Sequence, residues 1–386
     1  MVGTPELVIN NVRIFDGTDV LLETYSVAIS EGSITTIAKA LPPPQTTLTS
    51  KNTTTVVIDG TGCSLIPGLI DSHVHVASPQ DLDSLAAHGI TAACDMACFP
   101  ASTLSQLRAA CLADIATSGV SSPPRPHLLS AGTPVTSPGS RHSHIPGMPA
   151  EALLTDPADA EQFVRDRLAV DHSDYIKVVA DVPIGPSQAL MDAVVAAARR
   201  AGLRTVVHAT ATEAFRMAVR AGADCLTHVP IDTAVDGALA VELRERDGTA
   251  VVPTLVMMEN VAALRGAEGA SFEHALESAR VLRRAGVRLL AGTDANSLPM
   301  PGMAVRHGES MARELELYVV SAGIMDPLEA LRSATSAPAE YWGLRGRGRV
   351  AVGGRADMVL VEGEPWVDIG ALRRIRKVYI GGRAVG

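Results

Sequence analysis

"LIPGLIDSHVHV", residues 65–76, runs from apolar residues into two histidines set one residue apart. The run reads as a buried strand, and imidazole is costly to bury without a partner. Side chains at i and i+2 of a strand point to the same side. His73 and His75 therefore converge, and two converging imidazoles can hold one metal ion.

The same kind of run recurs through the middle of the chain. It is seen in "GITAACDM" (89–96), "PHLLSAG" (126–132), "DYIKVVAD" (174–181), "RTVVHAT" (204–210), "CLTHV" (225–229), "TAVVPTLV" (249–256) and "VRLLAGTDA" (287–295). Helix-like stretches lie between most of them, such as "SQALMDAVVAAARRAG" and "ATEAFRMAVRAGA". Continuous apolar runs rather than strict alternation indicate strands buried on both faces. Eight strand–helix alternations over 66–322 predict an α/β chain with a (β/α)8 TIM barrel over residues 65–345. The main competitor, a doubly wound open sheet, lacks its Gly-rich phosphate loop here.

Both ends read differently. "ELVINNVRIFDGTD" and "TTVVIDGTG" near the start, and "GRVAVGGRADMVLVEGEP" and "IRKVYIGGRAVG" near the end, are short strands punctuated by glycine turns. They predict one small β-sandwich domain assembled from 1–64 and 346–386. "LPPPQTTLTSKNTTT" (41–55) is too rich in Pro and Thr for regular structure and reads as a loop.

Composition narrows the function. Of 386 residues 47 % are hydrophobic, enough for a large core, and the net charge of −9 has no Lys/Arg cluster to set against it. That argues against nucleic-acid and anionic-membrane partners, and 3 % aromatics argue against base-stacking platforms. No basic n-region or long apolar run marks a signal peptide or membrane span. Five cysteines, an odd number in a long chain, do not suggest a disulfide framework. The expectation is a cytoplasmic protein acting on a small molecule.

In a (β/α)8 barrel chemistry sits where strands end. Those ends carry His73 and His75, Lys177, His208, His228 and Asp294. Singly, each has an ordinary explanation: a hydrogen-bonded histidine, a lysine reaching solvent, an aspartate in a turn. Together, four imidazoles, an amine and a carboxylate at strand ends predict a metal site. Cys94 and Cys98 lack zinc-pair spacing and, with Cys225, read as core thiols. His88 and His274 read as surface residues.

The pattern resembles the amidohydrolase superfamily. The resemblance rests on "PGLIDSHVHV", Lys177 in "YIKVVAD", His208 in "VVHAT", His228 in "LTHV" and Asp294 in "GTDA". It extends to "ALRSATSAPAEYWGLRGRGRVAVGGRADMVLVEGEP" (330–365), similar to the segment returning to the small β domain. The short interval between His208 and His228 is closest to the imidazolonepropionase-like and prolidase-like branch.

The resemblance implies a binuclear metal-dependent hydrolase that cleaves a C–N bond with a metal-activated water. His73, His75 and Asp294 would hold the buried metal, and His208 and His228 the exposed one. Lys177 would be carbamylated by CO2 and bridge the two; an amine in an apolar strand has its pKa lowered, which favours that reaction. Asp294 would also shuttle the proton. Zinc suits the His/carboxylate mixture, with manganese, cobalt or iron(II) as options. Relatives often associate through barrel helices, which leaves a homo-oligomer open.

The chain also departs from its relatives. Thr210 stands where prolidase-like proteins carry a substrate-contacting tyrosine. The loop after strand three reads "TPVTSPGSRHSHIPGM" (133–148), with His142 or His144 in the place of the family's substrate-binding loop histidine. Ordinary dipeptides are therefore doubtful substrates. An ester, lactone or phosphotriester hydrolase with the same metals is the alternative, ahead of a non-catalytic metal-binding barrel.

Overall fold

The eight apolar runs each contain a strand in the computed structural model, which describes residues 6–39, 41, 55–112, 123–297 and 302–386. The Pro/Thr segment expected as a loop falls, apart from residues 41 and 55, outside the described residues. N-terminal strands are β1 (Leu7–Phe15), β2 (Val20–Ser30), β3 (Ser33–Ala38), β4 (Val56–Asp59) and β5 (Cys63–Pro67). The middle strands are β6 (Leu69–Val74), β7 (Ile90–Asp95), β8 (His127–Ser130), β9 (Ile176–Val179), β10 (Thr205–His208), β11 (Cys225–Thr227), β12 (Ala250–Val252) and β13 (Arg288–Leu289). The C-terminal strands are β14 (Met358–Glu362), β15 (Ile375–Ile380) and β16 (Arg383–Ala384).

Helices separate the middle strands. They are α1 (Pro79–Ala87), α2 (Ala101–Leu112), α3 (Ala160–Asp166), α4 (Gln188–Arg200), α5 (Thr212–Ala221), α6 (Gly237–Arg244), α7 (Leu255–Arg265) and α8 (Phe272–Arg284). After β13 come α9 (Glu309–Glu316), α10 (Pro327–Ser333) and α11 (Ser336–Tyr341). The apolar stripe of α4, with Leu190, Met191, Val194 and Val195 buried, is the helical period expected for packing on a sheet.

All pairings among the middle strands are parallel, in two sheets ordered β6-β7-β8 and β13-β12-β11-β10-β9. Backbone hydrogen bonds stitch the sheets together at both edges. On one side Val135 N–H donates to Lys177 O (2.8 Å) and Val179 N–H to Val135 O (2.8 Å). On the other Asp294 N–H donates to His73 O and His75 N–H to Ala295 O, both at 2.8 Å. Gly292 makes the second seam possible, because a Cβ there would lie 2.4 Å from Val252 Cγ1 and 2.9 Å from His73 N.

Ile70, Cys94, Val206, Cys225, Val252 and Leu290 form a buried cluster capped by Tyr341 and Trp342. Cys94 and Cys225 thus pack as apolar side chains, and Cys98 is also buried. His88 is exposed, whereas His274 is only half-exposed, its ring against Ile231 O.

Strands from both ends meet in a single hydrogen-bonded sheet, ordered β16-β15-β14-β5-β1-β2-β3 with β4 beside β1. Alternate residues of β14 serve two cores. Met358 and Leu360 pack with Ile9, Ile14 and Leu65, while Val359 and Val361 join the large core that includes Ile66 and the middle helices. That is the period of two expected of a strand covered on both faces. No helix among the described residues is long and apolar enough to cross a membrane.

Candidate metal centre

His73 is the next-to-last residue of β6 and His208 the last of β10, Lys177 lies within β9, and His75, His228 and Asp294 follow the ends of β6, β11 and β13. All six line one cavity of about 990 Å³. His228 (φ 70°) and Asp294 (φ 60°) adopt left-handed backbone, as does Thr254 (φ 49°) after β12. For residues with a Cβ this conformation costs about 1–3 kcal/mol, and it occurs here just beyond β11, β12 and β13.

The inner group is His73, His75 and Asp294, whose ligand atoms lie within 4.8 Å of one another. Asp294 Oδ1 is 3.2 Å from His73 Nε2 and 3.1 Å from His75 Nε2. Burial lowers the His73 pKa to about 3, so its ring is neutral. Burial opposes ionisation of Asp294, yet the imidazoles around it hold its carboxyl well below the usual range. Asp71 braces the group from behind: it accepts from His73 N–H (3.1 Å), Thr293 N–H (3.0 Å) and the Thr293 hydroxyl (2.7 Å).

These residues fit a divalent cation. Ligands about 2.0–2.2 Å from a tetrahedral metal stand roughly 3.3–3.6 Å apart, close to the spacing of these donors. His73 Nδ1 is buried with no hydrogen-bond partner, so the ring's placement is not explained by hydrogen bonding at that nitrogen.

The second group lies beside the first. Ring centroids are 4.9 Å apart for His73 and His228 and 4.4 Å for His208 and His228. The Thr254 hydroxyl donates to Pro253 O (2.8 Å), so it accepts from His228 Nδ1 at 2.7 Å. That fixes the His228 proton on Nδ1 and leaves Nε2 as a lone pair. Burial holds both His208 and His228 well below the ordinary histidine pKa. Lys177, 2 % exposed, donates to Thr227 Oγ1 at 2.7 Å, and burial lowers its pKa to about 8.

Of the two loop histidines only His142 reaches the cavity. Asp181 accepts from the His142 backbone N–H (3.0 Å) and from its Nδ1 (2.9 Å), and the ring sits 4.5 Å from that of His208. His142, Asp181 and His208 form a second set whose ligand atoms lie within 4.8 Å. Burial would raise the Asp181 pKa, but the bond and charge of His142 bring it down to about 2. His144 is exposed and off the cavity wall, because the short turn His142–His144 points successive side chains apart. The sequence offered either loop histidine for the substrate, and the cavity lining includes His142 but not His144. Asp71, Asp181, Thr227 and Thr254 were not among the sequence candidates; all four lie inside the quoted strand runs, but nothing in the sequence marked their side chains as partners of the site.

The model of the Amidohydrolase family matches residues 64–385. The chain belongs to the amidohydrolase family. It is 29 % identical over 192 residues to an imidazolonepropionase of Deinococcus radiodurans, a match covering 48 % of this chain and only 43 % of that protein. An uncharacterized protein of Mycobacterium tuberculosis is 27 % identical over 346 residues, covering 83 % of this chain and 85 % of its own. Among solved structures, a Xaa-Pro dipeptidase with bound methionine superposes with a TM-score of 0.81 at 22 % identity, covering 98 % of this chain and 100 % of that one. An ochratoxinase of A. niger gives 0.76 at 19 %, covering 98 % of this chain and 95 % of that one. These likenesses establish the fold.

Proposed function

We propose that this protein is a metal-dependent hydrolase that cleaves the C–N bond of an amide, carbamate or cyclic amide in a small molecule. One observation carries the reading: four imidazoles and a carboxylate from β6, β10, β11 and the segment after β13 line one cavity, with Asp294 Oδ1 3.2 Å from His73 Nε2 and 3.1 Å from His75 Nε2. His73, His75 and Asp294 would hold one divalent ion, and His208 and His228 a second, with Lys177 as a carbamate bridging them. Zinc is the ion best suited to these ligands. Bound there, the ions would polarise a carbonyl and acidify a water.

The chain's own groups do the rest. Asp294, anionic and only 12 % side-chain exposed, can accept a proton and return it to the leaving amine. His142, held through Nδ1 by Asp181, can present Nε2 to the substrate carbonyl. The uncharged Lys177 amine available near pH 8 favours carbamylation. In the same reading the two stitched sheets are a closed (β/α)8 barrel over 65–345, and the terminal strands, 1–64 with 346–386, are a separate small β-sandwich domain.

Metal analysis of protein expressed with added zinc, joined to a panel of amides, esters and phosphotriesters, tests the proposal. Stoichiometric metal with amide cleavage is expected. Cleavage of esters or phosphotriesters alone would refute the C–N assignment, and absence of metal under excess zinc would refute the site.

A further inference from the structure

Part of the cavity lining has a composition the hydrolase reading does not use. α7 turns Met257, Met258, Val261 and Leu264 toward it, the i, i+4, i+7 spacing of one helix face. Two loops add further apolar lining, with Ile145 and Met148 from one and Val182 and Ile184 from the other. Five of the chain's 12 methionines line this one space: Met96, Met148, Met257, Met258 and Met303. Methionine is unbranched and polarizable and re-packs around varied apolar shapes.

The apolar surface continues outward. Met257 and Met258 are buried, whereas Leu264 is 50 %, Ile184 56 % and Val182 37 % exposed. Aliphatic side chains left in water around a cavity mouth mark a place where an apolar ligand is expected. Charged groups on the same lining already have protein partners. Arg265 Nε donates to Glu268 (3.0 Å), with Arg141 3.7 Å from the same carboxylate. Asp232 accepts from the Thr212 N–H (2.9 Å) and hydroxyl (3.0 Å), and Asp181 holds His142. A zwitterion would have to compete for each of these.

From this we infer that the cavity takes an uncharged amide or carbamate bearing an extended apolar group, which lies along α7 from the histidines to the Ile184–Leu264 lip. The inference rests on the hydrolase reading for the bond that is cut, and on the cavity wall for the group that is recognised.

Calorimetry with linear ketone isosteres of the amide, butanoyl through decanoyl, separates the two, because a ketone is bound but not hydrolysed. Titrated into full-length, zinc-supplemented protein, affinity should rise about two- to fourfold per methylene, with an increasingly negative heat-capacity change. Ile184→Glu with Leu264→Glu, both at positions at least half exposed, should cut the decanoyl-to-butanoyl affinity ratio about tenfold. Affinity independent of chain length, or Gly-Pro and Ala-Pro dipeptides bound more tightly than the octanoyl ketone, would overturn the inference. A length-dependent series in protein that cleaves no amide would support it while removing the hydrolase reading. Dipeptide cleavage with a flat series would do the reverse.

Discussion

Asp294 combines two tasks in one carboxylate, facing His73 and His75 through Oδ1 while Oδ2 stands 3.8 Å from His228. Asparagine keeps an oxygen for a metal but cannot carry a proton. Asp294→Asn is therefore expected to lose about 10²–10⁴-fold in turnover while retaining much of its metal, both measured on the same preparation. Thr254 tests the support behind a ligand. Thr254→Val leaves His228 Nδ1–H without its buried acceptor, and metal affinity should fall about 10–100-fold in a chelator competition. The two residues also show what a sequence discloses. His73 and His75 announce themselves because i, i+2 spacing on a strand is a statement about direction. Thr254 meets His228 from 26 residues away through a hydroxyl that serves equally well in any turn. Asp181 and His142 are 39 residues apart, and only the fold tells His142 from His144.

Among the elements, α7 begins with a first turn that has no side-chain cap of its own. Glu314 on α9 supplies one, accepting from Leu255 N–H (2.8 Å) and Val256 N–H (2.7 Å) while fully buried. Burial pushes its carboxyl up from 4.5 to about 8, against the helix N–H groups that favour the anion. A folded pKa above the unfolded one means that the folded state keeps the proton longer. The contribution is fully present below pH 4.5 and is lost as pH rises through 8. Wild-type stability should therefore decline across that window by at most about 1.4 kcal/mol per pH unit from this group. Glu314→Gln removes the titration and one accepted bond, costing about 1 kcal/mol at the acid end; urea midpoints at both ends of the window would show the difference shrinking as pH rises. Parallel slopes for the two proteins would refute the linkage. The eight strands were readable because strands covered on both faces are continuous apolar runs, and their order along the chain gave the parallel α/β class. The bond from α9 to α7 was not readable, since a buried Glu on an amphipathic helix has the same local pattern as an exposed one.

At the scale of the molecule, the terminal sheet runs directly into the histidine-bearing strand. β5 lies between β1 and β14, and only Gly68 separates it from β6, which leads into His73 and His75. Gly68 itself donates its N–H to Asp357 O (2.8 Å), and a Cβ on it would collide with Thr91 Oγ1 at 2.1 Å. That the two ends cooperate was visible in their shared turn-rich rhythm. Their union in one sheet was not, because the register pairs Leu65 with Leu360 across the length of the chain. Ending the chain after Asp357 would strip β14 from β5 and uncover Leu65 and Ile66, both fully buried, together with the faces that Val359 and Val361 now fill. Each such side chain accounts for about 1.5–3 kcal/mol of burial, so the loss of these four is comparable to the whole 5–15 kcal/mol by which domains are usually stable. The shortened chain is expected to be insoluble or to melt without a cooperative transition, and to bind no stoichiometric zinc. A soluble 1–357 chain that melts cooperatively and retains metal would mean that β6 holds its histidines in place without the C-terminal strands, and that the sheet from the two termini is an appendage to the centre rather than its support.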